Sequence, residues 1–209
     1  MINVSRPLPA TGAVVTLVAG TVLICSGSDC APRLWDLRAL DWFATKRSPA
    51  LDALFTTVTL LGSLWLLLPM ALVLVASLAV RGRTTVATRF AAAFGGAIVI
   101  SYATKILVGR ERPARIESLV AMPADSSFPS GHAMQITAFA LATAWMLAPP
   151  AQRHLWLAVA ITAIVLVGIS RAYLQVHFPS DVVAGTVAAA LWCYGFACPT
   201  HASKRKCHA

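Results

Sequence analysis

Apolar residues in this chain come in long unbroken runs separated by short polar junctions, with neither strand-like alternation nor one-sided helical stripes over most of the length. The runs lie near Thr11–Ser26, Leu54–Val80, Val86–Val108, Ala133–Ala148, Leu155–Ile169 and Val182–Cys198. A helix of roughly 20 apolar residues crosses about 30 Å of hydrocarbon, so the pattern predicts an all-α integral membrane bundle of about six transmembrane helices in one domain. After the first run, Trp35, Leu37, Leu40, Trp42 and Phe43 mix with Asp36, Arg38 and Asp41. That mixture predicts a short amphipathic helix lying in the membrane interface.

Composition sharpens the picture. With 58% hydrophobic and 12% charged residues in 209, the apolar surface exceeds what one soluble core could hide, so the lipid bilayer is the expected solvent. The formal charge of +9 would suit nucleic acid, but the basic residues sit at run ends instead of forming an aromatic-interleaved stripe, and no nucleic-acid partner is expected. Membrane topology accounts for them. Arg81, Arg83 and Arg89 flank the second junction, Arg153 the fourth, and Lys204, Arg205 and Lys206 follow the last run, so these places are expected in the cytoplasm. The segment Gly27–Ala53 balances its bases with Asp29, Asp36, Asp41 and Asp52 and can lie outside. The first run is short and preceded only by Arg6, which leaves a cleaved leader as an alternative that keeps the later junctions on the same sides. Cys25, Cys30, Cys193, Cys198 and Cys207 show neither metal-ligand spacing nor a disulfide framework. Cys25 and Cys30 could bridge in an oxidising compartment, but free thiols at a run end are the expectation.

Ionisable groups are expensive near membrane depth, and here they gather from Lys105 to His132 and from Arg171 to Asp181. Two crossings separate these junctions, so both emerge on one face. Lys105 and Arg112, seven residues apart, would point to one side of a helix end before Pro113 stops it. Ser130, in Pro129-Ser130-Gly131-His132, suits an N-cap, Gly131 allows close approach of a ligand, and the free amides of a helix start favour an anion. Asp181 lies in the first turn of a helix opened by Pro179, four residues past His177, within reach of its imidazole. Each feature alone has an ordinary structural reading as anchor, cap or hydrogen bond. Together they supply what phosphoryl transfer needs. Lys105, Arg112 and Arg171 can neutralise the phosphoryl oxygens, His177 can attack phosphorus, and His132 can serve the leaving group and then water. A zinc site at His132, His177 and Asp181 is disfavoured because three fixed cations would repel the metal.

Lys105-x6-Arg112-Pro113, Pro129-Ser130-Gly131-His132 and Ser170-Arg171-x5-His177-x3-Asp181 resemble, without departure, the three-part signature of the type-two phosphatidic acid phosphatase superfamily. Soluble vanadium haloperoxidases are similar in these motifs, but the apolar runs argue for the membrane branch. The resemblance implies a six-helix fold and a metal-independent lipid phosphatase without cofactor, acting through a phosphohistidine. It also implies His177 as nucleophile, His132 as acid and base, Asp181 as partner of His177, and Lys105, Arg112, Ser130, Gly131 and Arg171 on the phosphate. Phosphatidate, phosphatidylglycerol phosphate and undecaprenyl diphosphate all fit, the last being the first expectation. A catalytically inactive lipid-phosphate binding or transport protein is the alternative. The site is expected to face the periplasm or exterior of a plasma membrane. Arg110, Glu111, Arg115 and Asp125 read as solvated loop charge, and His154, His201 and His208 have no assigned role.

Overall fold

The structure is a computed structural model that describes residues 7–25, 30–114, 116 and 118–197. The expectations for Arg6, Asp29, Arg115, Cys198, His201, Lys204, Arg205, Lys206, Cys207 and His208 lie outside the described residues. The described residues form helices and no strands. In chain order these are α1 (Pro7–Ile24), α2 (Leu34–Thr45), α3 (Pro49–Val58), α4 (Leu64–Val80), α5 (Thr84–Val108), α6 (Gly131–Leu147), α7 (Arg153–Tyr173) and α8 (Pro179–Ala197). Short 3-10 turns at Thr59–Gly62 and Pro150–Gln152 precede α4 and α7.

Three segments are long and apolar enough to cross a membrane by length and composition: Pro49–Val80, Thr84–Val108 and Pro150–Tyr173. The apolar stretch of α1, Thr11–Leu23, is shorter. α6 is the centre of the bundle and packs against α5, α7 and α8. Its Ala133, Met134, Ile136, Ala138, Leu141 and Ala142 are all buried. Around it Phe90, Phe94, Ala97, Ile164 and Val167 complete the main core. Val73, Val80, Val99, Ile106, Leu107, Ile161 and Val165 point outward and are exposed. A bundle whose outside is as apolar as its inside is built for hydrocarbon.

Local chemistry departs from the predicted runs in three places that shape the site. The run Leu54–Val80 is interrupted: α3 starts earlier at Pro49 behind a Ser48 cap, then breaks at Thr59–Gly62 before α4 begins. A Cβ on Gly62 would sit 2.7 Å from Val167 Cγ1 and 3.1 Å from His132 Cβ, so the break lets the backbone lie directly on α6 and α7. α7 extends past Ile169 to Tyr173, carrying Ser170 and Arg171 within the helix. α5 ends at Val108 on Gly109, whose φ of 63° is the left-handed conformation suited to glycine. Arg112 is therefore beyond the helix, and the expectation that it shares a helical face with Lys105 is corrected.

The predicted interfacial helix exists as α2, but its role is larger than that of a connector. Leu40 is buried against Ala172 and Phe178, and Gln175 Nε2 donates to Leu40 O at 2.9 Å. Asp36 is fully buried. These contacts fasten α2 to the junction between α7 and α8. Cys25 and Cys30 are joined in a disulfide between α1 and α2, which corrects the expectation of free thiols. Ala13 and Leu17 of α1 pack on Ala184 and Ala188 of α8, with Phe128 alongside.

Candidate active site

All three motifs converge at one end of the bundle. The last turn of α5 brings Lys105, the first turns of α6 and α8 bring His132 and Asp181, the last turn of α7 brings Arg171, and the two junctions bring Arg112 and His177. The start of α6 is tied to α8 by Ser130 N–H donating to Asp181 O at 3.1 Å. A cavity of about 210 Å³ opens among these elements, lined by Lys105, Arg112, Gly131, His132, Arg171 and His177, and also by Ser63, Leu64, Trp65, Ser101, Tyr102, Pro123, Asp125 and Gln135. Ser130 and Asp181 are buried and do not line it.

His177 is held from both sides. Arg112 Nη1 lies 3.1 Å from His177 Nε2 and donates to Val176 O at 2.8 Å. A guanidinium has only donors, so Nε2 must present its lone pair, which puts the ring proton on Nδ1. On that side Asp181 Oδ2 is 3.6 Å away, beyond hydrogen-bond length, and the Ser127 hydroxyl stands between them. Ser127 Oγ is 2.5 Å from Asp181 Oδ2 and 3.4 Å from Nδ1. The expected His177–Asp181 contact is thus shared with a serine that the sequence reading did not single out. Burial, followed by the charges of Arg171, Arg112 and Lys105, holds the His177 proton affinity well below the usual histidine range. Its resting form is the neutral imidazole.

The three cations occupy different settings. Arg171 donates through Nη1 to Thr59 Oγ1 at 2.7 Å, so the break before α4 fixes it, while its buried Nε has no partner. Lys105 donates to Ser126 O and pairs with Asp125 Oδ2 at 3.2 Å. Arg112 pairs with Asp125 Oδ1 at 2.5 Å. Burial alone would raise the proton affinity of Asp125, but the Arg112 hydrogen bond and the Lys105 charge outweigh it and hold the carboxyl below its ordinary range. Asp125 bridges the two cations at the cavity wall. It is therefore corrected from a solvated loop charge to a member of the site. Ser130 stands at the N-cap of α6 without a capping hydrogen bond, and its buried Oγ has no partner. Such an orphan hydroxyl, like the Arg171 Nε, is hydrogen-bonding capacity that a ligand can use.

Arg110 is a second correction. It is 1% exposed and forms ion pairs with Asp181 Oδ1 and, at 3.1 Å, with Asp36 Oδ2. Ser180 completes the cluster, its hydroxyl donating to Asp36 Oδ2 at 2.7 Å and its amide to Asp36 Oδ1 at 2.9 Å. Removing one partner of a buried pair costs about 3–5 kcal/mol, because the other is left charged and unpaired. Nothing in the local sequence marks Arg110 as a buried charge, since the burial comes from α2. Among the described residues no group of three or more His, Cys, Asp or Glu side chains is disposed to hold a metal ion.

Comparison with known proteins agrees with the motif reading. The model of the PAP2 superfamily matches residues 86–205. Phosphatidylglycerophosphatase B of Bacillus subtilis is 33% identical over 144 residues, covering 66% of this chain and 70% of that protein. An undecaprenyl-diphosphatase of Sulfolobus acidocaldarius is 37% identical over 93 residues, 43% of each chain. Among solved structures, the transmembrane PAP2-type phosphatidylglycerolphosphate phosphatase of Bacillus subtilis superposes with a TM-score of 0.76 over 91% of this chain and 94% of its own, at 24% identity. Aquifex aeolicus LpxE gives 0.61 over 77% and 93%, at 25% identity. With the family model spanning more than half of the sequence and the fold and site arranged as above, this chain belongs to the PAP2 superfamily.

Proposed function

We propose that this protein is an integral-membrane lipid phosphatase that hydrolyses the terminal phosphate of a lipid phosphate or diphosphate through a phosphohistidine intermediate. The observation that carries the reading is His177 Nε2, whose lone pair rests against Arg112 Nη1 beside a cavity lined by Lys105, Arg112 and Arg171 and is released when Arg112 turns to the phosphate. The phosphoryl group displaces Asp125 from Lys105 and Arg112 and takes up the unused Arg171 Nε and the free amides at the start of α6, where Gly131 lines the cavity and Ser130 is buried behind it. His177 Nε2 then attacks phosphorus, and the bond to the lipid oxygen breaks. His132, on the cavity wall, gives that oxygen its proton, held once the anionic substrate offsets the surrounding cations. A water gives its proton to His132 and its oxygen to phosphorus, the P–N bond breaks, and inorganic phosphate leaves. No cofactor or metal has a part in this sequence, because the charge stabilisation comes from the three side chains.

The leaving lipid is of the class that includes undecaprenyl diphosphate, phosphatidylglycerol phosphate and phosphatidate. The relatives support a terminal phosphate on a lipid, and undecaprenyl diphosphate is the first candidate. Trp65 (93% exposed) and the half-exposed Tyr102 stand at the cavity on α4 and α5, between the outward Leu66 and Ile106, where a lipid tail can leave sideways. Six crossings of a plasma membrane, with the site on the periplasmic or outer side, suit two features. The Cys25–Cys30 disulfide sits at the site end of the bundle, and disulfides persist in oxidising compartments. Exposed Arg81 and Arg83 lie at the other end, on the inside by the positive-inside bias.

Phosphate release by the purified protein from these three lipids, with and without chelator, tests the reading. Turnover that persists in chelator, with alkali-stable, acid-labile labelled phosphate on His177 after rapid quenching, is expected. No turnover on any lipid phosphate, or label on another residue, refutes it.

A further inference from the structure

Arg110 belongs to the site without facing the cavity. Its guanidinium reaches Asp181 Oδ1, Ser180 Oγ at 2.8 Å and Asp36 Oδ2 at 3.1 Å, and lies 4.3 Å from the centre of the Phe178 ring. Asp181 divides its oxygens accordingly. Oδ2 accepts from Ser127 Oγ and from Phe178 N–H at 2.9 Å, the side that meets His177, and Oδ1 is committed to Arg110. A carboxylate engaged at both oxygens cannot turn. One that shares its charge with a buried guanidinium also draws a proton toward the facing imidazole less strongly.

We propose that Arg110, clamped by Asp36 of α2, is a positioning residue for phosphoryl transfer that orients Asp181 and limits its pull on a proton at His177, keeping the nucleophile neutral. The proposal rests on His177 being the nucleophile. The groups facing His177 come from every packed element: Arg112 from the junction after α5, Lys105 from α5, His132 from α6, Arg171 from α7 and Asp181 from α8. The cations favour the neutral ring, whereas a carboxylate at Asp181 opposes them, and Arg110 acts on that carboxylate. Burial of Arg110 away from the cavity separates this role from phosphate binding.

Charge counting supplies a discriminating variant. The cluster of Asp36, Arg110 and Asp181 carries two acids and one base, so Arg110→Gln with Asp36→Asn keeps its net charge while abolishing the clamp. In the full-length protein in detergent, kcat, KM, the acid limb of kcat against pH and quench-trapped phosphohistidine are measured for this double variant, Arg110→Gln, Asp36→Asn and His177→Ala. The double variant is expected to recover thermal stability relative to Arg110→Gln. Its kcat should nevertheless fall roughly 10- to 100-fold, the usual loss when a group orienting a functional histidine is removed. KM should stay within about threefold, and the acid limb should move to higher pH, because an unopposed carboxylate lets the imidazole keep its proton. Asp36→Asn, which leaves Arg110 to Asp181 alone and removes one carboxylate from the cluster, should move the limb the opposite way, to lower pH. If Arg110→Gln and the double variant fail to fold, Asp36→Asn decides the matter. A limb that does not move, a double variant with wild-type kcat, or a loss confined to KM overturns the proposal. Turnover in His177→Ala, or label elsewhere in the wild type, overturns the nucleophile assignment itself and is read separately.

Discussion

Asp125 bridges Lys105 and Arg112, the two cations proposed to meet the phosphate, and so competes with an anion for them. Its side chain is 41% exposed, so the two pairs are screened and together are worth on the order of 1 kcal/mol, about fivefold in affinity for a competing anion. Asp125→Asn should therefore strengthen inhibition by the product, inorganic phosphate, roughly 3- to 10-fold. An inhibition constant equal to or weaker than that of the wild type would show that Asp125 organises the cations instead of competing for them. His177 makes a second prediction at this scale. Its folded-state proton affinity is depressed, chiefly by burial, so below the unfolded value of 6.5 the unfolded chain binds a proton that the folded chain does not. Stability should fall as pH drops from 6.5 toward the depressed folded value, by up to about 1.4 kcal/mol per pH unit for this group. Thermal midpoints from pH 7 to 5 should decline more steeply for the wild type than for His177→Asn. Equal slopes would exclude His177 as the source.

Element packing depends on close approach as much as on apolar content. Trp192 of α8 lies across Gly96 of α5, and its Nε1 donates to Ala93 O at 3.0 Å. A Cβ at Gly96 would stand 2.4 Å from Trp192 Cζ2. Gly96→Ala should thus cost about 1–3 kcal/mol through overpacking, lowering the thermal midpoint in detergent while leaving kcat per folded molecule unchanged. A midpoint within a degree of the wild type would mean that Trp192 repacks freely. The break at Thr59–Gly62 is the other decisive element. A straight helix from Pro49 to Val80 would carry Thr59 away from Arg171 and remove Ser63, Leu64 and Trp65 from the cavity.

Orientation belongs to the whole molecule. Ala124 lies on the site junction and Thr84 at the opposite end, at the start of α5, and both are exposed. With the other accessible cysteines replaced, a membrane-impermeant thiol reagent on intact cells should label a cysteine at Ala124 and miss one at Thr84. Reversed labelling would turn the site to the cytoplasm and remove the case for an outer-leaflet lipid, leaving the phosphatase chemistry in place. The motif residues that gather at one end of the bundle were legible in the sequence, because motif spacing brings Lys105, Arg112, His132, Arg171, His177 and Asp181 to helix ends and junctions, and unbroken apolar runs already define a membrane bundle. Their route was less so: Arg112 arrives on a non-helical segment after Gly109, not along α5. The groups behind them were illegible, because Arg110 meets Asp36 across 74 residues and Ser127 meets Asp181 across 54. Periodicity and spacing report which residues share a face or a junction. Which of several neighbouring charges becomes buried was decided only when α2 closed over the α7–α8 junction and excluded water from one arginine and two carboxylates.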